Sequence, residues 1–265
     1  MHDHNRRAWD EMVRDKQRFT RPARDEDFVD PLKTVDALGW LGGDIRGQRV
    51  LCLGAGGGKH GPLYAAAGAR VTVVDISAAQ LELDREVAAE RRLEVHTVEA
   101  SMDNLQCFQA SEFDLVVQPV STCYVPQIGP VYAEVARITR PGGLYVSQHK
   151  TPQSLQADVQ ASAKGYELTE PYYRTGPLPP VVGSRHREEG THEYLHRWDE
   201  ILGLMCRSGF VIEDLVEPLH TKPDAIPGSW EHRSKFVAPY VRIKARRTGE
   251  KAAASTATSR LWLPS

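Results

Sequence analysis

The chain has 265 residues, 41% hydrophobic and 26% charged, with a formal net charge of −2 at pH 7. That length and apolar fraction suit one substantial core with decorations, and the near-neutral balance lacks the broad basic field that draws proteins onto nucleic acid. The charged opening "MHDHNRRAWDEMVRDKQRF" has no apolar centre like that of a secretory signal, and no run approaches the roughly 20 apolar residues of a membrane helix. A soluble, cytoplasmic protein without a membrane or nucleic-acid partner is therefore expected. Cys52, Cys107, Cys123 and Cys206 are widely spaced, with no C-x-x-C pair and no histidines at zinc-finger spacing, so they read as thiols in a reducing compartment and no metal site is expected.

In chain order, the stretch from Asn5 to Phe19 is helix-compatible and carries Trp9, Met12 and Phe19, enough apolar surface to lie over a cleft. "RVLCL" (Arg49 to Leu53) reads as a short buried strand, and a loop rich in glycine follows at once: Gly54, Gly56, Gly57, Gly58 and Gly61. Such a cluster permits positive φ and close backbone approach to a ligand, although a tight connection that binds nothing is the plainer alternative. Pro62 sits early enough for a first helical turn, and Gly68 stops that helix. "RVTVVD" (Arg70 to Asp75) is the next strand and ends on a carboxylate. Ser77 and Gln80 have capping-box spacing and start a helix running to about Arg91.

"LEVHTVEA", "FDLVV" and "GLYVSQH" read as three further strands, with a helix from about Ile128 to Ile138 before the last. Strands alternating with helices imply parallel crossovers in a doubly wound α/β sheet. Residues 151–191 show no clear period, but Tyr166, Tyr172 and Tyr173 favour an inserted cap with aromatics facing an acceptor over a disordered segment. Trp198, Ile201, Leu202 and Met205 form a helical stripe that Gly209 can end. "FVIEDLVEP" and "YVRIKARR" then read as two strands making an antiparallel edge. Residues 248–265 read as a flexible tail.

The strand, glycine loop and helix unit offers unpaired N–H groups, and Asp75 lies 21 residues after Gly54, close to the spacing of a carboxylate that binds ribose hydroxyls. A nucleoside-containing cofactor follows. A Walker loop is excluded because Leu53 and His60 stand where its first glycine and its hydroxyl belong. Gly56, Gly58 and Gly61 do match the dinucleotide pattern, which leaves an NAD-dependent oxidoreductase open, although that frame starts late relative to the strand.

These residues resemble the class I S-adenosylmethionine-dependent methyltransferases over roughly Val50 to Arg246: "LGAGGG", the strand-ending Asp75, "EASMDNL", "FDLVVQPVS" and "ITRPGGLYVS" come in the family's order. The resemblance implies a Rossmann-like sheet of seven strands in the order 3-2-1-4-5-7-6 with the last antiparallel. It also implies S-adenosyl-L-methionine as cofactor, a small-molecule acceptor and transfer by in-line displacement. A domain over 41–247 would carry the activity beneath a helical cover at 1–40. It assigns nucleoside contacts to Asp75, Ile76, Ser101 and Met102, and methionine contacts to Gln118 and the backbone of Gly54, Ala55, Gly56 and Gly58. Ser101 departs from the pattern, standing where members often have an acidic residue, with Asp103 two residues on. His149, leaving the fifth strand, and Tyr124, after the fourth, are the candidate catalytic residues, with His196 next. A module that binds the cofactor without catalysis is the alternative from another class. The acceptor atom and the oligomeric state are not legible.

Overall fold

The computed structural model describes residues 2–249. Helix α1 (His2–Arg14) leads through two 3-10 turns to the short α2 (Pro31–Val35). Strands and helices then alternate: β1 (Arg49–Leu53), α3 (His60–Ala66), β2 (Arg70–Asp75), α4 (Ala78–Arg91), β3 (Val95–Glu99), β4 (Phe113–Gln118), α5 (Gly129–Ile138), β5 (Thr139–Lys150) and α6 (Pro152–Gln156). The last described elements are α7 (Leu204–Arg207), β6 (Phe210–Val216), α8 (Trp230–Arg233) and β7 (Tyr240–Arg247). The expected tail falls outside the described residues, apart from its first two.

One seven-stranded sheet has the order β3-β2-β1-β4-β5-β7-β6, with β7 antiparallel to both neighbours. Central strands are apolar on both faces because helices cover both: Val50, Leu51, Cys52 and Leu53 are all fully buried. Side chains sort by parity. Leu51, Val116, Tyr145 and Ile243 pack on one face with Val131 and Val135 of α5, whereas Val50, Val73, Val117 and Val146 pack on the other with Tyr64 of α3. Register carries the carboxyl end of β4 across to β7, with Gln118 beside Ser147 and Ser147 beside Ile243.

The stripe from Trp198 to Met205 packs on the core as its spacing predicts, but its first turn, Asp199–Gly203, is a π-helix. The Tyr132 hydroxyl takes the Ile201 carbonyl at 3.0 Å, an acceptor a regular helix would keep for its own backbone. Past α6, residues 157–191 form only isolated bridges. The Arg233 guanidinium, itself buried, donates to the carbonyls of Ser154, Ala157 and Asp158 and thereby fixes the base of this segment.

Candidate active site

β1 ends at Leu53, and Gly54 enters the loop with φ +56°. A side chain there would come within 2.8 Å of Ser121 Oγ, and one on Gly56 within 2.7 Å of the Gln80 Cβ, so two neighbouring elements already press on this backbone. Here, at the carboxyl edge where strand order reverses between β1 and β4, opens a cavity of about 740 Å³. Gly54, Ala55, Gly56, Asp75, Ile76, Ser101, Met102 and Gln118 all line one end of it. Gly58 does not. It turns towards α4, where an added Cβ would lie 2.8 Å from the Leu83 carbonyl oxygen, and its φ is +70°, so both packing and backbone conformation call for glycine there.

Asp75 is tied at both oxygens, Oδ2 accepting the Gly56 N–H at 2.9 Å and Oδ1 the Ser77 N–H at 3.0 Å. Burial raises its pKa, and the backbone bonds oppose that rise. Beneath the loop Asp84 Oδ2 accepts the Gly57 N–H at 2.9 Å, while Asp84 Oδ1 and the cavity-lining Gln80 Oε1 are buried without a partner. Only half of the capping box at Ser77 therefore forms: Ser77 Oγ accepts the Gln80 N–H, but the Gln80 side chain does not reach back. Gln118 holds the end of β4 by accepting from the Tyr145 hydroxyl and donating to Ser121 Oγ and Met102 Sδ. Ser101 Oγ donates to Asp103 at 2.5 Å, which brings a carboxylate next to the position where the family's acidic residue is missing.

Helix α1 bridges the cavity. Asp10 accepts from Ser77 Oγ at 2.6 Å at the N-terminus of α4, where a negative charge suits the helix dipole. One turn earlier, buried Asn5 donates to the carbonyls of Tyr124 and His192, and Trp9 meets the Tyr124 ring edge-on at 5.4 Å. The chain after α1 continues over the glycine loop, with Ala23 N–H donating to the Gly58 carbonyl.

Tyr124 and Glu188 add a polar part of the wall, backed by charged residues outside the lining. Tyr124 donates to Glu188 at 2.7 Å, and Lys150 bridges Glu188 and Glu193, which also pairs with Arg187. Burial would raise Glu188, but Lys150 and the hydrogen bonds it receives hold it below the ordinary carboxylate value. Burial and the neighbouring Glu188 charge push Tyr124 well up, so its phenol stays protonated. Among the described residues, no group of three or more His, Cys, Asp or Glu is placed to hold a metal ion.

A family model described as a methyltransferase domain matches residues 51–147. Over 229 residues the chain is 36% identical to the uncharacterized methyltransferase YbaJ of Bacillus subtilis, covering 81% of this chain and 89% of that one. The chain belongs to the class I S-adenosylmethionine-dependent methyltransferases. It is also 27% identical to a ubiquinone biosynthesis O-methyltransferase of Nitrosococcus oceani, over 68% of this chain and 70% of that one. An S-adenosylmethionine-dependent methyltransferase from Mesorhizobium loti shares the fold, with TM-score 0.63 and 23% identity over 77% of this chain and 93% of that one. The protein is thus a methyltransferase with S-adenosylmethionine as its cofactor.

Within this methyltransferase, Tyr124 lines the cavity but His149 does not. Strand alternation explains why: Gln148 points into the cavity, so His149 points through the sheet to meet Tyr132 of α5. There it is buried, its two nitrogens bonded to Thr122 Oγ1 and Ser147 Oγ at 2.8 Å each, and burial with the His196 charge lowers its pKa to about 3. His196 is likewise buried against the Thr122 carbonyl, outside the cavity. The aromatics of the 151–191 segment also lie elsewhere: Tyr166 packs on His232 and Phe236, the Tyr172 hydroxyl accepts the Trp198 N–H, and Tyr173 is exposed. That segment gives the cavity Arg185 and Glu188 instead. His220, Trp230, Tyr240 and Arg242 were missed as lining residues because they come from three separate chain segments, the loop after β6, α8 and β7. The only available signal was the period-two pattern of β7, which marks Arg242 as facing away from the Val241 side.

Proposed function

We propose that this methyltransferase transfers the methyl group of S-adenosylmethionine to a small-molecule acceptor by in-line displacement. One observation carries the reading: a single cavity bridged by α1 is lined both by the glycine loop with Asp75 and by the polar wall of Tyr124 and Glu188. Its volume, about 740 Å³, lies in the range of small-molecule sites.

The residues present fit the cofactor. Gly54 and Gly56 leave a cradle that a side chain would fill, Asp75 keeps lone pairs for ribose hydroxyls, and Gln80 Oε1 is a buried acceptor in want of a donor such as an ammonium group. Ile76 and Met102 would flank the adenine, with Ser101 and the neighbouring backbone at its edge. Ala55, Gly56, Gln80 and Gln118 would hold the methionine end. When bound, the cofactor supplies a methyl group activated on a sulfonium.

The chain contributes position and exclusion of water. Holding an acceptor atom about 3 Å from the methyl carbon supplies much of the acceleration available to a displacement. Tyr124, its proton committed to Glu188, orients the acceptor and does not serve as a phenolate base. Incubating the protein with methyl-labelled S-adenosylmethionine and a metabolite extract tests the reading. Label should appear in a low-molecular-weight product, whereas cofactor binding without transfer to any fraction would make the chain a binding module.

A further inference from the structure

The cavity's charges are asymmetrically satisfied. Its three carboxylates are all engaged within the protein: Asp36 accepts the Trp40 and Leu41 N–H groups, Asp75 two backbone N–H groups, and Glu188 bonds to Tyr124 and Lys150. Its five cationic side chains, Arg18, Arg21, Lys59, Arg185 and Arg242, have no carboxylate partner among the described residues. Arg18, Arg21, Lys59 and Arg185 are exposed and met by water, whereas Arg242 is half-buried, so it is the Arg242 guanidinium whose charge most lacks an anion.

Position divides these cations. Lys59 belongs to the glycine loop and Arg18 and Arg21 to the segment lying over it, with the Arg18 charge also felt at Tyr240. Arg242 stands elsewhere. It pairs in register with Gln148, one residue beyond the Gln118–Ser147–Ile243 row, hence two strands or about 10 Å from the end of β4. Its Nε donates to the neutral Gln148 Oε1 at 2.7 Å, which fixes the guanidinium and leaves its terminal nitrogens available.

Around it gather His220, whose Nε2 is buried and unpartnered, and the rings of Trp230 and Tyr240, at 4.8 and 5.5 Å from His220. Arg185, an exposed lining residue, precedes His186, which stacks on Trp230 at 5.6 Å. Arg242, an imidazole nitrogen and two aromatic rings thus share one part of the wall, about two strands from the end of β4, with Arg185 lining the same cavity.

We propose that this corner binds an oxyanion carried by the methyl acceptor, a carboxylate or phosphate on a flat apolar body, held by Arg242 and Arg185 against Trp230. The inference rests on the small-molecule transfer reading. The oxyanion is a handle and not the group methylated, so the product keeps its charge.

Benzoate, benzamide and phenyl phosphate, titrated by calorimetry into protein saturated with S-adenosylhomocysteine, test it without turnover. At least one anion should bind roughly tenfold or more tightly than the amide, and the tighter of the two tells carboxylate from phosphate. Arg242→Gln should remove most of that preference and Arg185→Gln part of it, with S-adenosylhomocysteine affinity within about twofold of wild type. Arg242→Lys, which keeps the charge, should retain part of the preference and shows that the position tolerates change. Equal affinity for amide and anions, no binding of either anion up to its solubility limit, or a preference that survives both glutamine variants would overturn the proposal. Absence of methyl transfer from a protein that still discriminates the anions would count against the transfer reading alone.

Discussion

Asp84 lies under the glycine loop, and its carboxylate should make the protein less stable as pH rises. Burial lifts its pKa from 3.8 to about 7, only partly opposed by the Gly57 and Gly58 N–H groups. Between those values the folded state binds the proton and the unfolded chain does not. The associated stability is therefore fully present below about pH 4 and is lost as pH climbs through 7. A shift of about three units corresponds to about 4 kcal/mol, of which about 2.5 kcal/mol falls between pH 5 and pH 8. Asp84→Asn removes the titration while keeping an oxygen for the Gly57 N–H. It leaves an amide NH₂ where Oδ1 already lacks a partner, a cost that does not change with pH. Urea unfolding of both proteins at pH 5, 6, 7 and 8 gives the difference in stability, from which all other titrating groups cancel. The variant should gain on the wild type by about 2.5 kcal/mol across that range. A difference that stays constant with pH, or one that grows in the wild type's favour, would refute the assignment of a buried, uncompensated carboxylate under the loop.

Asp75→Ala should weaken S-adenosylmethionine and S-adenosylhomocysteine by about 1.5 to 3 kcal/mol in calorimetric titration, through loss of charge-assisted bonds to the ribose. Gly61→Ala should destabilise the fold by about 1 to 3 kcal/mol in urea, because its Cβ would fall 2.4 Å from Val73 Cγ2 on β2. His149→Ala should cost about 1 to 3 kcal/mol of stability by orphaning Thr122 and Ser147. Since burial holds that imidazole at about 3, the rate profile of the wild type between pH 6 and 8 should keep its shape in the variant once an acceptor is known. An inflection near 6.5 that disappears with His149 would restore it as a base. Tyr124→Phe should lower turnover more than cofactor affinity, measured as kcat against the dissociation constant for S-adenosylhomocysteine, because it releases Glu188 at the acceptor end.

Much of the end of the cavity proposed for the cofactor was legible in the sequence because its determinants are local. A buried strand, a run of glycines and a carboxylate closing the next strand are placed by chain geometry alone. The predicted bounds of β1 and β2 match the structure, and so does the seven-strand order that the family resemblance implied. The end proposed for the acceptor was not legible, because it is assembled from α1, the segment after α6, the turn around His220 and β7, and no spacing in the sequence encodes which of these meet. His149 shows how narrow the failure was. The strand end was right, but a side chain one residue along faces the opposite side of the sheet, and only the pairing of β5 with β4 and β7 decides which face meets the cavity. The expected cap aromatics went the same way, turned outward by contacts with α8 and Trp198, while charged residues from that segment took the wall. Local propensity thus determined the elements and the glycine loop, whereas long-range packing alone decided which side chains of the later segments face the cavity.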